Sequence, residues 1–104
     1  MATVNVRYLV DDVNAAVAFY TTHFGFTKLS QAGSAFRPMA DGERPRAGGW
    51  NRIELIVDDI AAEIERLAIA GLKPRNDVVT GPGGSQVLFL DPAGNLIELF
   101  QPAR

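Results

Sequence analysis

The sequence predicts an α+β fold built from two related β-α-β modules, and three observations carry that expectation. A four-residue string near the N-terminus returns in the second half of the chain. Each copy lies between a strand-like run and a helix-like run. The second copy then continues into three further strand-like runs separated by turn signals.

The repeat comes first because it organises everything else. Val10-Asp11-Asp12-Val13 reappears as Val57-Asp58-Asp59-Ile60, 47 positions later, and the match extends to both sides. Upstream, Val4–Val10 and Asn51–Val57 are rich in β-branched and aliphatic residues, with polar residues on one parity, as in a half-covered strand. Each run stops at an Asp-Asp pair. An aspartate there accepts hydrogen bonds from the unpaired amides of a helix's first turn and suits its dipole. Helices are therefore expected next. Val13, Ala16, Val17 and Tyr20 share one face of the first, and Ile60, Ile64, Leu67 and Ala68 share the equivalent face of the second. Gly25 and Gly71 follow, where a left-handed helix terminus costs least.

Beyond the helices the copies diverge. Arg75–Thr80, Gln86–Leu90 and Leu96–Gln101 read as strands, separated by Gly81-Pro82-Gly83-Gly84 and by Asp91-Pro92-Ala93-Gly94-Asn95. The second module is thus β-α-β-β-β over residues 50–102. The first, over residues 3–40, offers Phe26–Ser30 and at most one more strand near Ser34–Met39. Residues 41–49 form a glycine- and proline-containing linker. The first module is expected to lack one or two strands, within one domain spanning 1–104.

Composition narrows the functional classes. The chain has 104 residues, 47% hydrophobic and 21% charged, which is ordinary for a globular domain and unlike a disordered one. A net charge of −2 gives no electrostatic handle for nucleic acid. With no cysteine, there is neither a disulfide framework nor a thiolate metal site nor a cysteine nucleophile. No apolar stretch approaches the roughly 20 residues that span a bilayer, and Met1–Val10 is not a signal peptide, so a cytoplasmic location is expected. The glycine-rich stretch at 81–84 precedes a strand and has no P-loop lysine after it, so it reads as a turn.

The repeated string, followed by Phe19-Tyr20 and Phe24-Gly25-Phe26 in the first copy, resembles the first module of the vicinal-oxygen-chelate (VOC) superfamily, the glyoxalase/bleomycin-resistance/dioxygenase proteins. Ala70-Gly71-Leu72 and Asp91-Pro92-Ala93-Gly94-Asn95-Leu96-Ile97-Glu98-Leu99 resemble its second module. The resemblance covers residues 3–30 and 50–102. It implies paired βαβββ modules whose sheets curl around a shared cavity with helices outside. It also implies one of two activities. One is a metal-dependent lyase, isomerase or dioxygenase; the other is a metal-free protein that binds a small molecule such as an antibiotic.

The family's metal ligands test the first activity. By resemblance, ligands would fall seven positions before each helix-starting aspartate, at Asn5 and Arg52, with a carboxylate at Glu98 on the last strand. Asn5 is a weak ligand for first-row metals, and the guanidinium of Arg52 stays protonated and cannot ligate. Glu98 is the one good match. The expectation is therefore no cofactor; a divalent metal held by Glu98 and Glu54 is the alternative. Alternation puts Asn5, Arg7, Arg52, Glu54, Glu98 and Phe100 on the face that carries Glu98, with Gln86 on the neighbouring strand. Two readings of that face stay open: a polar pocket in which Arg7 or Arg52 grips an anionic or carbonyl-bearing small molecule, or a set of charges that neutralise one another on a half-exposed sheet.

Three smaller expectations complete the reading. Phe19, Tyr20, Phe24 and Phe26 form core where the first helix meets its sheet, Trp50 anchors the crossing between modules, and His23 is an exposed helix-end residue. A shortened first module leaves a sheet edge uncovered, so a homodimer is expected, one version of which exchanges modules between chains.

Overall fold

The structure is a computed structural model that describes residues 6–29 and 46–104. In chain order its elements are α1 (Val13–Phe24), β1 (Arg52–Ile56), α2 (Ile60–Ile69), β2 (Val79–Gly81), β3 (Gly84–Leu90) and β4 (Leu96–Pro102). The strands form one mixed sheet in the order β1-β4-β3-β2. β1 runs parallel to β4, whereas β4–β3 and β3–β2 are antiparallel. The second half is therefore the β-α-β-β-β unit that its sequence predicts.

Both helices start as the Asp-Asp strings imply. Asp12 and Asp59 are extended, at φ/ψ of −130°/104° and −140°/97°. Their carboxylates accept from the Ala15 and Ala62 amides, each at 3.0 Å. The α2 start has a second acceptor, because Gln101 of β4 reaches across with Oε1 to accept from the Ile60 amide at 2.8 Å. α1 ends at Gly25, whose φ of 69° lies in the left-handed region where a side chain would be strained.

The core lies between α2 and one face of the sheet. Ile60 and Leu67 meet Val87, Phe89 and Leu99, with Phe24, Leu55, Val57, Ile64 and Leu72 packed around them. Removing each large side chain from water contributes about 1.5–3 kcal/mol. Ala68, expected on this face, is exposed instead and lies one residue past it. The residues of opposite parity on β1, β3 and β4 necessarily point to the other face.

The first half departs from expectation. Residues 6–10 and 26–29 belong to no ladder, so the described parts of the strands expected at Val4–Val10 and Phe26–Ser30 are not strands. A strand needs a neighbour for its backbone groups, and residues 6–10 are tied to the second half through side chains instead. The Tyr8 hydroxyl donates to the Leu96 carbonyl at 2.7 Å, and Asn95 Nδ2 donates to the Leu9 carbonyl at 2.7 Å. The strand expected near Ser34–Met39, and with it the length of the first module, lies outside the described residues.

A second correction concerns residues 75–80, where only 79–81 is strand. The Arg75 amide donates to the Leu88 carbonyl at 2.7 Å, but the Leu88 amide turns to Asn76 Oδ1 at 2.8 Å. A side chain thus takes the place of a backbone carbonyl and ends the ladder early.

Candidate functional site

Strand register assembles the candidate site. Parallel pairing sets Glu54 beside Glu98, Arg52 beside Leu96 and Ile56 beside Phe100. Antiparallel pairing sets Leu88 beside Glu98 and Gln86 beside Phe100. Five of the seven residues singled out from sequence, Arg52, Glu54, Gln86, Glu98 and Phe100, therefore occupy adjoining positions on the face opposite α2. Arg7 is exposed on the 6–10 segment and is not part of the ion pair there. Asn5 lies outside the described residues.

The strongest polar contact on that face joins Arg52 Nε to Glu98 Oε1 at 2.6 Å. Glu98 is 5% exposed, so its charge needs this partner. The Arg52 side chain is 36% exposed and reaches from the edge of the sheet. A side-chain hydrogen bond with Glu98 pushes the Glu54 carboxyl above the usual carboxylate range; desolvation and the Glu98 charge act in the same direction and Arg52 opposes. Two facing carboxyls and one guanidinium thus meet on this face.

Among the described residues, a guanidinium occupies part of the donor set that a divalent cation would use. Glu98 Oε1 is already committed to that guanidinium, and Glu54 lies beside the same acid in the strand register. Among the described residues no group of three histidine, aspartate or glutamate side chains converges. His23 is not a partner in the Arg52–Glu98 pair. It is half-buried in the last turn of α1, its ring 5.3 Å from Phe19, rather than exposed as the sequence suggested. Trp50 is 69% exposed and anchors no packed crossing; the Arg75 guanidinium lies 4.5 Å from its ring centroid. The aromatic cluster on α1 does form, with Phe19 buried and Tyr20, Phe24 and Phe26 about it, Phe26 remaining largely exposed.

Sequence reasoning missed the polar node at the β3–β4 turn. Asp91 and Asn95 are each 4% exposed. Asp91 Oδ1 accepts from the Ala93 and Asn95 amides, while Oδ2 accepts from the Tyr20 hydroxyl at 2.9 Å and from Asn95 Nδ2 at 3.0 Å. Asn95 Oδ1 accepts from the Gly48 amide at 2.8 Å. One turn therefore binds α1, residues 6–10 and the 46–50 stretch to the sheet. The sequence did flag Asp91–Asn95 as a turn. A turn in which both polar side chains are also buried was the signal not drawn from it.

A cleft of about 390 Å³ lies between α1 and residues 6–10. Ile53 is the β1 residue that lines it, and Ile53 shares the parity of Leu55 and Val57, which pack against the α2 core. The cleft is thus on the helix-bearing side, separate from the Arg52–Glu98 face.

No protein-family model matches the chain, and no curated protein matches it. Solved structures do. The chain is similar to a member of the glyoxalase/bleomycin resistance protein/dioxygenase superfamily from Sphaerobacter thermophilus, at TM-score 0.71 and 23% identity over 97% of this chain and 98% of that one. It is similar to TnmS3, an antibiotic binding protein from Streptomyces sp. CB03234, at TM-score 0.71 and 27% identity over 99% of both chains. A lactoylglutathione lyase from Agrobacterium tumefaciens matches at TM-score 0.63 and 24% identity over 88% of this chain and 87% of that one. The chain therefore has the fold of the glyoxalase/bleomycin-resistance/dioxygenase superfamily. This matches the VOC resemblance carried by its repeated strings. A binder and a lyase share that fold, so the fold leaves the activity to the site.

Proposed function

We propose that this chain is a metal-free small-molecule-binding protein that uses the sheet face opposite α2. The observation that carries the reading is the Arg52–Glu98 ion pair at 2.6 Å. It places a fixed positive charge against the one carboxylate that the family resemblance assigns to a metal. The pair engages Nε of Arg52, which among the described residues leaves the terminal nitrogens of the guanidinium for a carbonyl or anionic group on a ligand. Phe100, Ile56 and Leu88 on adjoining positions supply apolar surface, and Gln86 supplies an amide. The similarity to an antibiotic binding protein supports the same class of ligand.

The reading includes a homodimer. The outer edge of β1 has no ladder partner among the described residues, and segments 6–10 and 26–29 have none either. A second copy would pair such edges. Light scattering on a size-exclusion column is expected to give twice the chain mass, and a monomer at micromolar concentration would contradict the dimer.

The binding reading is tested by amide-shift mapping with a panel of carboxylate- and carbonyl-bearing antibiotics. Saturable shifts at Arg52, Gln86, Glu98 and Phe100 that disappear in Arg52→Gln are expected. Shifts confined to other residues, or unchanged in Arg52→Gln, would reject this face as the site.

A further inference from the structure

The cleft between α1 and residues 6–10 has the features of a site in its own right. α1 contributes Val13, Val17 and Tyr20, spaced to share one side of the helix, and the 6–10 segment contributes Val6, Tyr8 and Val10, every second residue. The polar tips of these walls are already committed. Tyr8 donates its hydroxyl proton to the Leu96 carbonyl at 2.7 Å, Tyr20 donates to Asp91 Oδ2 at 2.9 Å, and Thr21 donates to the Val17 carbonyl at 2.7 Å. The two tyrosines therefore present ring surface to the cleft while their hydroxyls hold the two ends of the β3–β4 turn. That anchoring also fixes the two walls relative to each other. Thr27 and Lys28, which are exposed, belong to its solvent-facing rim.

We infer that this cleft is a second binding site, separate from the sheet face, for an uncharged apolar or aromatic small molecule. Its volume, about 390 Å³, falls in the range of small-molecule pockets. A polar ligand is disfavoured because its groups would leave water and find the wall hydroxyl protons already donated. Burial, followed for Tyr20 by the Asp91 hydrogen bond, raises the pKa of both phenols, so they remain neutral donors and add no charge to the walls.

The test is fluorescence titration of the full chain with N-phenyl-1-naphthylamine, an uncharged aromatic probe, with naphthalene as competitor. Saturable binding that naphthalene displaces is expected. Val17→Trp, which fills the cleft, is expected to weaken it about ten-fold or more, and Arg52→Gln on the other face is expected to leave it unchanged. Ala16→Leu is the second filling variant should the tryptophan prevent folding. Amide shifts caused by the probe in the unaltered chain are expected at Val13, Val17 and Ile53. Absence of saturable binding, or shifts at Phe100 and Ile56 instead, would overturn the inference. Because Arg52→Gln disables only the sheet face, the two sites fail independently.

Discussion

The strings Val10-Asp11-Asp12-Val13 and Val57-Asp58-Asp59-Ile60 start two helices in nearly the same way, yet the halves of the chain that they head are built differently. The caps agree within about 10° in φ and ψ and share the same 3.0 Å bond. In the second half, the helix covers a four-stranded sheet and buries a contiguous apolar core. In the first half, the helix is flanked by segments that join no ladder among the described residues, and it is held by an aromatic cluster and by the Tyr20 hydrogen bond to the β3–β4 turn. A helix start is a local event that a few residues decide. A strand depends on a partner that local sequence does not supply. The second half therefore serves as the frame on which the first is hung.

That ordering yields graded expectations. Phe89→Ala empties the centre of the frame and is expected to cost about 3–5 kcal/mol in chemical denaturation. Both halves should lose structure together. A first half that stayed folded in this variant would break the dependence. Asn95→Ala removes the bonds to the Leu9 carbonyl and the Gly48 amide within a buried network, and about 2–3 kcal/mol is expected. Its hydrogen-exchange signature should be selective, with faster exchange in α1 and residues 6–10 and little change in β3 and β4.

Smaller effects sharpen the comparison. Asp59→Ala and Asp12→Ala each remove one cap bond, worth about 1 kcal/mol. The Asp59 variant should lose less of its helix start, because Gln101 still accepts from the Ile60 amide. Equal losses of helix-start protection by hydrogen exchange would contradict that role for Gln101. The smallest effect concerns pH. Glu54 has a raised pKa in the folded state, so its contribution to stability is present below its unfolded pKa and is lost as pH rises through the folded value. Denaturation measured across the carboxylate range should show that decline in the parent chain and a flatter profile in Glu54→Gln.

How much of this was legible follows the same divide between local and non-local. The caps, Gly25, the second-half strands and the face shared by Arg52, Glu54, Glu98 and Phe100 were legible because each depends on near neighbours or on simple alternation. The Arg52–Glu98 bond was only half legible, since alternation gave the shared face but not the register that brings the two together. The early end of the ladder at Val79 was not, because the Asn76 side chain takes the Leu88 amide, 12 residues away, in place of a backbone carbonyl. The β3–β4 node was hidden for a related reason. Tyr8, Tyr20 and Leu9 meet the turn at sequence separations of 71 to 88, and no periodicity connects them.

The central functional claim is that Arg52 has taken the place of a metal beside Glu98. Its most direct test is calorimetric titration of chelator-treated protein with Mn²⁺, Ni²⁺ and Zn²⁺, repeated on Glu98→Gln. The expected result is no saturable binding at micromolar concentration in either protein. Micromolar binding by the parent chain that is lost in Glu98→Gln would contradict the claim and return the chain to the metal-dependent enzymes that share its fold.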